Sequence, residues 1–267
     1  MLVLNNLHFG LERTNGLRTK RGRWHLVLGI RQLHWVPLLT KAGFGVSFLP
    51  AVITDDTSDN DFQFQAFQET AQLALNAILI NNPNLKSLSV RTSASLNFEG
   101  IERCLKIEAF HTTAPIEGKL NLSSCKRLAF FSSHTDGSRV TGMKELESLK
   151  SIRIASVTDA WLNGNLPACL ERLVIAASSR ATYKFERFER LKSLTFTRQR
   201  TVDLSQASLP TSLTDLDFAG VNEIRGLEEV IAKMPSLRRL DVHMVGQESQ
   251  REIMRLAKKY ALKVSFR

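Results

Sequence analysis

One phrase recurs near the C-terminus and limits what this chain can become. It reads apolar-x-x-apolar-x-apolar at Leu191-x-x-Leu194-x-Phe196, Leu213-x-x-Leu216-x-Phe218 and Leu237-x-x-Leu240-x-Val242, with starts 22 and 24 residues apart. The closing x-apolar alternation is that of a strand with one buried face. A segment this short cannot cover its own apolar positions, so copies must stack and share a continuous core. The phrase also fits at Leu85, Cys104, Cys125, Leu149, Leu170 and Ala261, giving nine starts separated by 19, 21, 24, 21, 21, 22, 24 and 24 residues. Strands following one another at this period predict a parallel sheet with neighbours about 4.8 Å apart.

The connections occupy the other side. Those of about 20 residues have room for extended or 3₁₀ chain, and those of 24 can hold a short helix. The pattern predicts helices over Gly226–Met234, with Leu227, Val230 and Ile231 inward, and over Glu248–Lys259, with Ile253, Leu256 and Ala257 inward. Residues 54–61 are acidic and turn-rich, which suits a helix start. A helix is predicted from Phe62 to Asn81, with Phe67, Ala71, Leu75, Ile78 and Leu79 on one stripe and Asn82-Pro83 ending it. Upstream, looser versions of the phrase begin at Leu4, Arg23 and Gly43. We therefore divide the chain into a basic N-terminal segment, 1–61, of irregular repeats or a cap, and a main repeat domain, 62–267.

With these phrases the chain resembles the leucine-rich repeat family, closely over Leu85–Arg267 and loosely before it. Asn84-Leu85-x-x-Leu88 and Pro235-x-Leu237-x-x-Leu240 look like ribonuclease-inhibitor-like and ubiquitin-ligase-adaptor repeats. The resemblance implies an α/β leucine-rich repeat solenoid, curved, with a parallel concave sheet and a convex side of mixed helical and irregular chain. It also implies protein recognition. The family's turn asparagine is missing: its places hold Ser93, Thr112, Ser133, Val157, Ser178, Gln199, Val221 and Val245. No F-box-type helical module precedes the repeats.

Composition adds charge. The formal net charge is +10, and residues 13–54 contain seven Lys and Arg and no acidic residue. Arg18, Lys20, Arg21 and Arg23 suit contact with an acidic protein or a nucleic acid; a solvated basic surface and an organellar transit segment are the other readings. No apolar run approaches the roughly 18 residues a membrane helix needs, so no membrane insertion is expected. Three cysteines, an odd number, and no secretory signal suggest a reducing, intracellular setting, the cytoplasm first and an organelle second.

Phosphate-loop, dinucleotide, serine-hydrolase and zinc-protease motifs are absent from the sequence, and its six histidines lack metal-ligand spacing. The expectation is a non-enzyme with no cofactor or metal. Cys104 and Cys125 fall at equivalent positions and read as buried thiols rather than a disulfide. The residues the frame turns outward form the candidate binding face. Lys106, Phe110, Arg127, Phe131, Arg153 and Arg172 make one end basic and aromatic, while Asp215, Asp217 and Asp241 make the other acidic. The alternative for Phe110 and Phe131 is a place in the core. The function expected is a non-catalytic protein-interaction scaffold; the alternative is a nucleic-acid-associated or ribonucleoprotein component using the N-terminal segment. No polar cap precedes Leu4, so a partner, or a larger assembly of which this chain is a subunit, is expected to cover that edge.

Overall fold

The computed structural model describes residues 41–45, 68–69, 71–73, 75–176 and 182–266. Among them the dominant element is an open sheet of ten parallel strands. In spatial order these are β1 (Lys41–Gly45), β2 (Ser87–Arg91), β3 (Ala109–Thr112), β5 (Phe130–Ser133), β7 (Ser151–Ile154), β8 (Arg172–Ile175), β9 (Ser193–Thr197), β11 (Asp215–Ala219), β13 (Arg239–His243) and β14 (Lys263–Phe266). Two small parallel pairs lie in the connections: β4 (Leu120–Asn121) with β6 (Val140–Thr141), and β10 (Thr201–Asp203) with β12 (Glu223–Arg225). The sheet has two ends and does not close into a barrel. Chain order and spatial order agree, so each connection returns to start the next strand beside the last.

A tight turn sets the position of eight of the ten strands, β2 to β13 of the large sheet. The N–H of Leu85, Ile107, Leu128, Leu149, Leu170, Leu191, Leu213 and Leu237 donates to the carbonyl three residues earlier, at 2.9–3.4 Å. These eight leading residues are 22, 21, 21, 21, 21, 22 and 24 residues apart. Three residues beyond each lies a fully buried side chain: Leu88, Phe110, Phe131, Ile152, Leu173, Leu194, Leu216 and Leu240. The strand register aligns these eight with one another. Like side chains thus stack in columns, with Phe110 edge-on to Phe131 (5.6 Å between centroids) and Phe196 stacked on Phe218 (5.8 Å).

The frame read from sequence is shifted at two places. The phrases at Cys104 and Cys125 place the strands three residues too early; the leading positions are Ile107 and Leu128. Phe110 and Phe131 therefore point inward, with no exposed area, and are corrected from the binding face to the core. The cause is the second inward column, where Val90 and Ile154 have as counterparts Thr112 and Ser133. These hydroxyls are buried but satisfied: Thr112 Oγ1 accepts from Ala114 N (3.0 Å) and Ser133 Oγ from Thr135 N (3.1 Å). Each closes a local turn two residues on. Cys104 and Cys125 are free, buried thiols in the turns; burial pushes both up to about 11.

Helices are few. Helix α1 covers the described residues 71–73 and 75–81, with Ala71, Leu75, Ile78 and Leu79 buried as the stripe predicts; Phe67 lies outside the described residues. Asn82 Nδ2 donates to Ile78 O (2.9 Å) at its end. Helix α2 (Asp159–Asn165) was not predicted. Thr158 caps it, accepting from Trp161 N, and buried Trp161 donates from Nε1 to Val140 O (2.9 Å). Helices α3 (Leu227–Ile231) and α4 (Gln247–Tyr260) bury the residues predicted for them. Gly226 leads into α3 with φ +68°, and an added Cβ would collide with the backbone of Ser205. At the N-terminal side, β1 pairs with β2, Gly45 opposite Arg91; the phrase at Gly43 overlaps it, and those at Leu4 and Arg23 lie outside the described residues.

The corrected frame separates two adjacent phenylalanines. Phe131→Ala or Phe110→Ala should lower the unfolding free energy by about 3–5 kcal/mol, whereas Phe130→Ala, at an exposed site, should change it by less than about 1 kcal/mol. Urea denaturation of the three variants checks this; a larger loss from Phe130→Ala than from Phe131→Ala would refute the frame.

Candidate functional site

Most side chains on the sheet's other face are at least partly exposed, Ser132 being buried, and the register assigns them to rows. One row reads Ser87, Ala109, Phe130, Ser151, Arg172, Ser193, Asp215, Arg239 and Lys263. The next reads Ser89, His111, Ser132, Arg153, Val174, Thr195, Asp217, Asp241 and Ser265. Phe130, 39% exposed, is the aromatic of this face.

Of the basic residues expected together, Arg153 and Arg172 stand on the face, on neighbouring strands. Lys106 and Arg127 are exposed but lie in the turns before β3 and β5, off the strand face. Arg18, Lys20, Arg21 and Arg23 lie outside the described residues. In their place the corrected frame delivers His111, opposite both Ser89 and Ser132, with Arg153 opposite Ser132. Arg91 ends β2 two residues past Ser89, and His134 follows β5 two residues past Ser132. Sequence reading missed His111, His134 and Phe130, and turned Arg91 outward without choosing it as a site residue. The available signal was the regular period near 21, which puts Phe110 and Phe131 beneath Leu88 and so turns their neighbours outward.

These groups share one field. Burial lowers the His111 imidazole below the usual histidine value, and Arg91, His134 and Arg153 lower it further. His134 is lowered by burial, then by Arg153 and Arg198, which sits in the left-handed turn just past β9. Among the described residues Arg91, Arg153 and Arg198 make no salt bridge. Arg153 Nε is buried without a hydrogen-bond partner among them, as is Thr197 Oγ1. A shallow depression of about 490 Å³ opens beside His134, lined also by Thr113, Glu117, Thr135, Asp136 and Arg139.

The acidic end is partly compensated. Asp217 and Asp241 face each other across β11 and β13, a like-charge pairing that costs free energy when unrelieved. Arg239 relieves it, with Nε 2.7 Å from Asp215 Oδ1 and 3.2 Å from Asp241 Oδ2. Asp241 Oδ1 stays buried with no hydrogen-bond partner among the described residues. One face thus runs from cations at β2–β8 through Thr195 to carboxylates at β11 and β13. Among the described residues no group of three or more His, Cys, Asp and Glu is placed to hold a metal, and no helix is long and apolar enough to cross a membrane. No protein-family model matches the chain, and no curated protein matches it.

Both imidazoles resist protonation in the fold more than in the unfolded chain. The unfolded chain then binds protons first as pH falls past the ordinary histidine value of 6.5. Their contribution is fully favourable above that value and is lost on acidification below it. Thermal melts between pH 8 and pH 5 should show Tm falling below about pH 6.5, with a shallower fall in the His111→Asn/His134→Asn double variant. Parallel curves would remove these histidines as the cause.

Proposed function

We propose that this chain is a non-catalytic binding scaffold, a leucine-rich-repeat-type solenoid whose open sheet face docks a protein. The observation carrying this reading is the order of charge along that face: Arg91, His111 and Arg153 at one end, neutral side chains between, Asp217 and Asp241 at the other. Exposed Phe130 lies beside the cations, the pairing of aromatic and arginine that concentrates binding energy at interfaces. The recurring turn and the one-strand step between units support the solenoid reading. A partner with an acidic patch followed by a basic one matches the face. Opposed charges would fix its orientation and speed encounter more than they add affinity. The nucleic-acid reading rests on the N-terminal basic residues and gains no support from this face, whose carboxylates would repel a polyanion.

Affinity capture from a native extract tests the docking face. Arg153→Glu/Arg172→Glu should reduce partner recovery by about tenfold or more, as expected for losing charge-assisted contacts. Lys233→Glu, in the connection after α3, should leave recovery unchanged. Equal recovery by all three proteins would rule out this face.

A further inference from the structure

The basic end is more than a positive surface. His111 and His134 stand on β3 and just after β5, between the strands that carry Arg91 and Arg153. The charges acting on both imidazoles are basic. No carboxylate among the described residues pairs with either arginine, although evolution of a merely soluble surface intersperses signs. A cluster of uncompensated cations costs free energy in the unbound fold. We propose that Arg91, His111, His134 and Arg153 form a phosphoryl-group site, taking a phosphorylated serine or threonine of the protein docked on this face; the proposal rests on that docking reading.

The donor chemistry fits the group. A guanidinium offers parallel N–H bonds that match phosphate geometry, and Arg153 Nε is a buried donor still without a partner among the described residues. Each neutral imidazole supplies one N–H and can take up a proton as a dianion arrives. A phosphoryl group carries about −1.5 to −2 charges and three acceptor oxygens, so it answers two guanidinium and two imidazole groups better than a carboxylate with two oxygens. A nucleic-acid backbone fits less well. It would continue along the face into Asp217 and Asp241, and Phe130 alone does not make the succession of aromatic platforms that unpaired bases stack on. The cations and the aspartates are four strands apart, β7 to β13, or about 19 Å. The matching ligand is an extended peptide with phosphoserine at one end and lysines about six residues later, at about 3.3 Å per residue.

The full chain, with its histidine ring signals followed by NMR, supplies the test. Inorganic phosphate should move the His111 and His134 signals saturably toward the imidazolium position, and acetate at equal ionic strength should not. The phosphoserine–lysine peptide should bind about tenfold tighter than its serine twin. Arg153→Met should abolish that preference, and Arg153→Lys, which keeps the charge but loses the fork, should retain part of it. If Arg153→Met does not fold, undiminished preference in Arg153→Lys/His134→Asn overturns the site. Equal responses to phosphate and acetate, equal affinities of the two peptides, or tighter binding of a 12-nucleotide oligouridylate than of the phosphopeptide also overturn it. Phosphatase treatment of the extract separates the two readings. A partner still captured by the wild-type chain after that treatment, but not by Arg153→Glu/Arg172→Glu, defeats the phosphoryl site and leaves the docking face standing.

Discussion

The structure depends on one recurring hydrogen bond, from the N–H of the leading apolar residue to the carbonyl three residues earlier. It turns the chain sharply at the start of eight of the ten strands and buries the leading side chain. The next residue then joins the ladder of the neighbouring strand: Glu108, Ala129, Lys150, Glu171, Lys192 and Thr214 each donate to the counterpart before them. Once turn and ladder are fixed, the alternation of a strand leaves no freedom over which side chains face inward. A parallel sheet of sequential strands needs a crossover for every step, and the turn ends each crossover at the same height.

That regularity places the outer face as firmly as the core. His111 is outward because Phe110 is inward, and Phe110 is inward because Ile107 closes the turn. The charged rows therefore sit on rigid strands rather than loops, which is the arrangement that holds binding groups in position without an ordering cost at the moment of binding. The acidic end shows the same control. Arg239 stands opposite Asp215 and also reaches Asp241, so two carboxylates spaced by the sheet are held by one guanidinium. The exposed ion pairs elsewhere, such as Lys86–Glu108 and Lys150–Glu171, contribute little to stability.

Much of this was legible from sequence where apolar residues fill all three positions of the phrase. The strands at Leu85, Leu149, Leu170, Leu191, Leu213 and Leu237, and the inward faces of α1, α3 and α4, follow from period alone. Helix α2 did not, because its signal is local: Thr158 as cap and Trp161 seeking Val140 O, with no long amphipathic stripe. Two strands were misplaced for a different reason. At Thr112 and Ser133 the inward position is polar, so the apolar pattern slid three residues back onto Cys104 and Cys125 and exchanged the faces of Phe130 and Phe131. Arg153 and Arg172, in an unshifted stretch, kept their predicted places.

The misread stretch is also the one that builds the basic end, and the two facts have one cause. An inward valine would only fill space, whereas Thr112 Oγ1 and Ser133 Oγ bind the backbone two residues on and close each strand end. Thr135 extends the same device across strands, its Oγ1 accepting from Ile116 N (3.0 Å). These turns fix the chain on either side of His111 and His134. A buried hydroxyl contributes less hydrophobic stabilisation than a valine methyl, so the loss must be offset by what the hydroxyl holds. Departure from the local rule without a gain in core packing is expected where positioning of surface groups matters more than burial. The break in the pattern between Ile107 and Ser133 therefore coincides with the basic end of the sheet, where the docking we propose would place the partner's acidic patch.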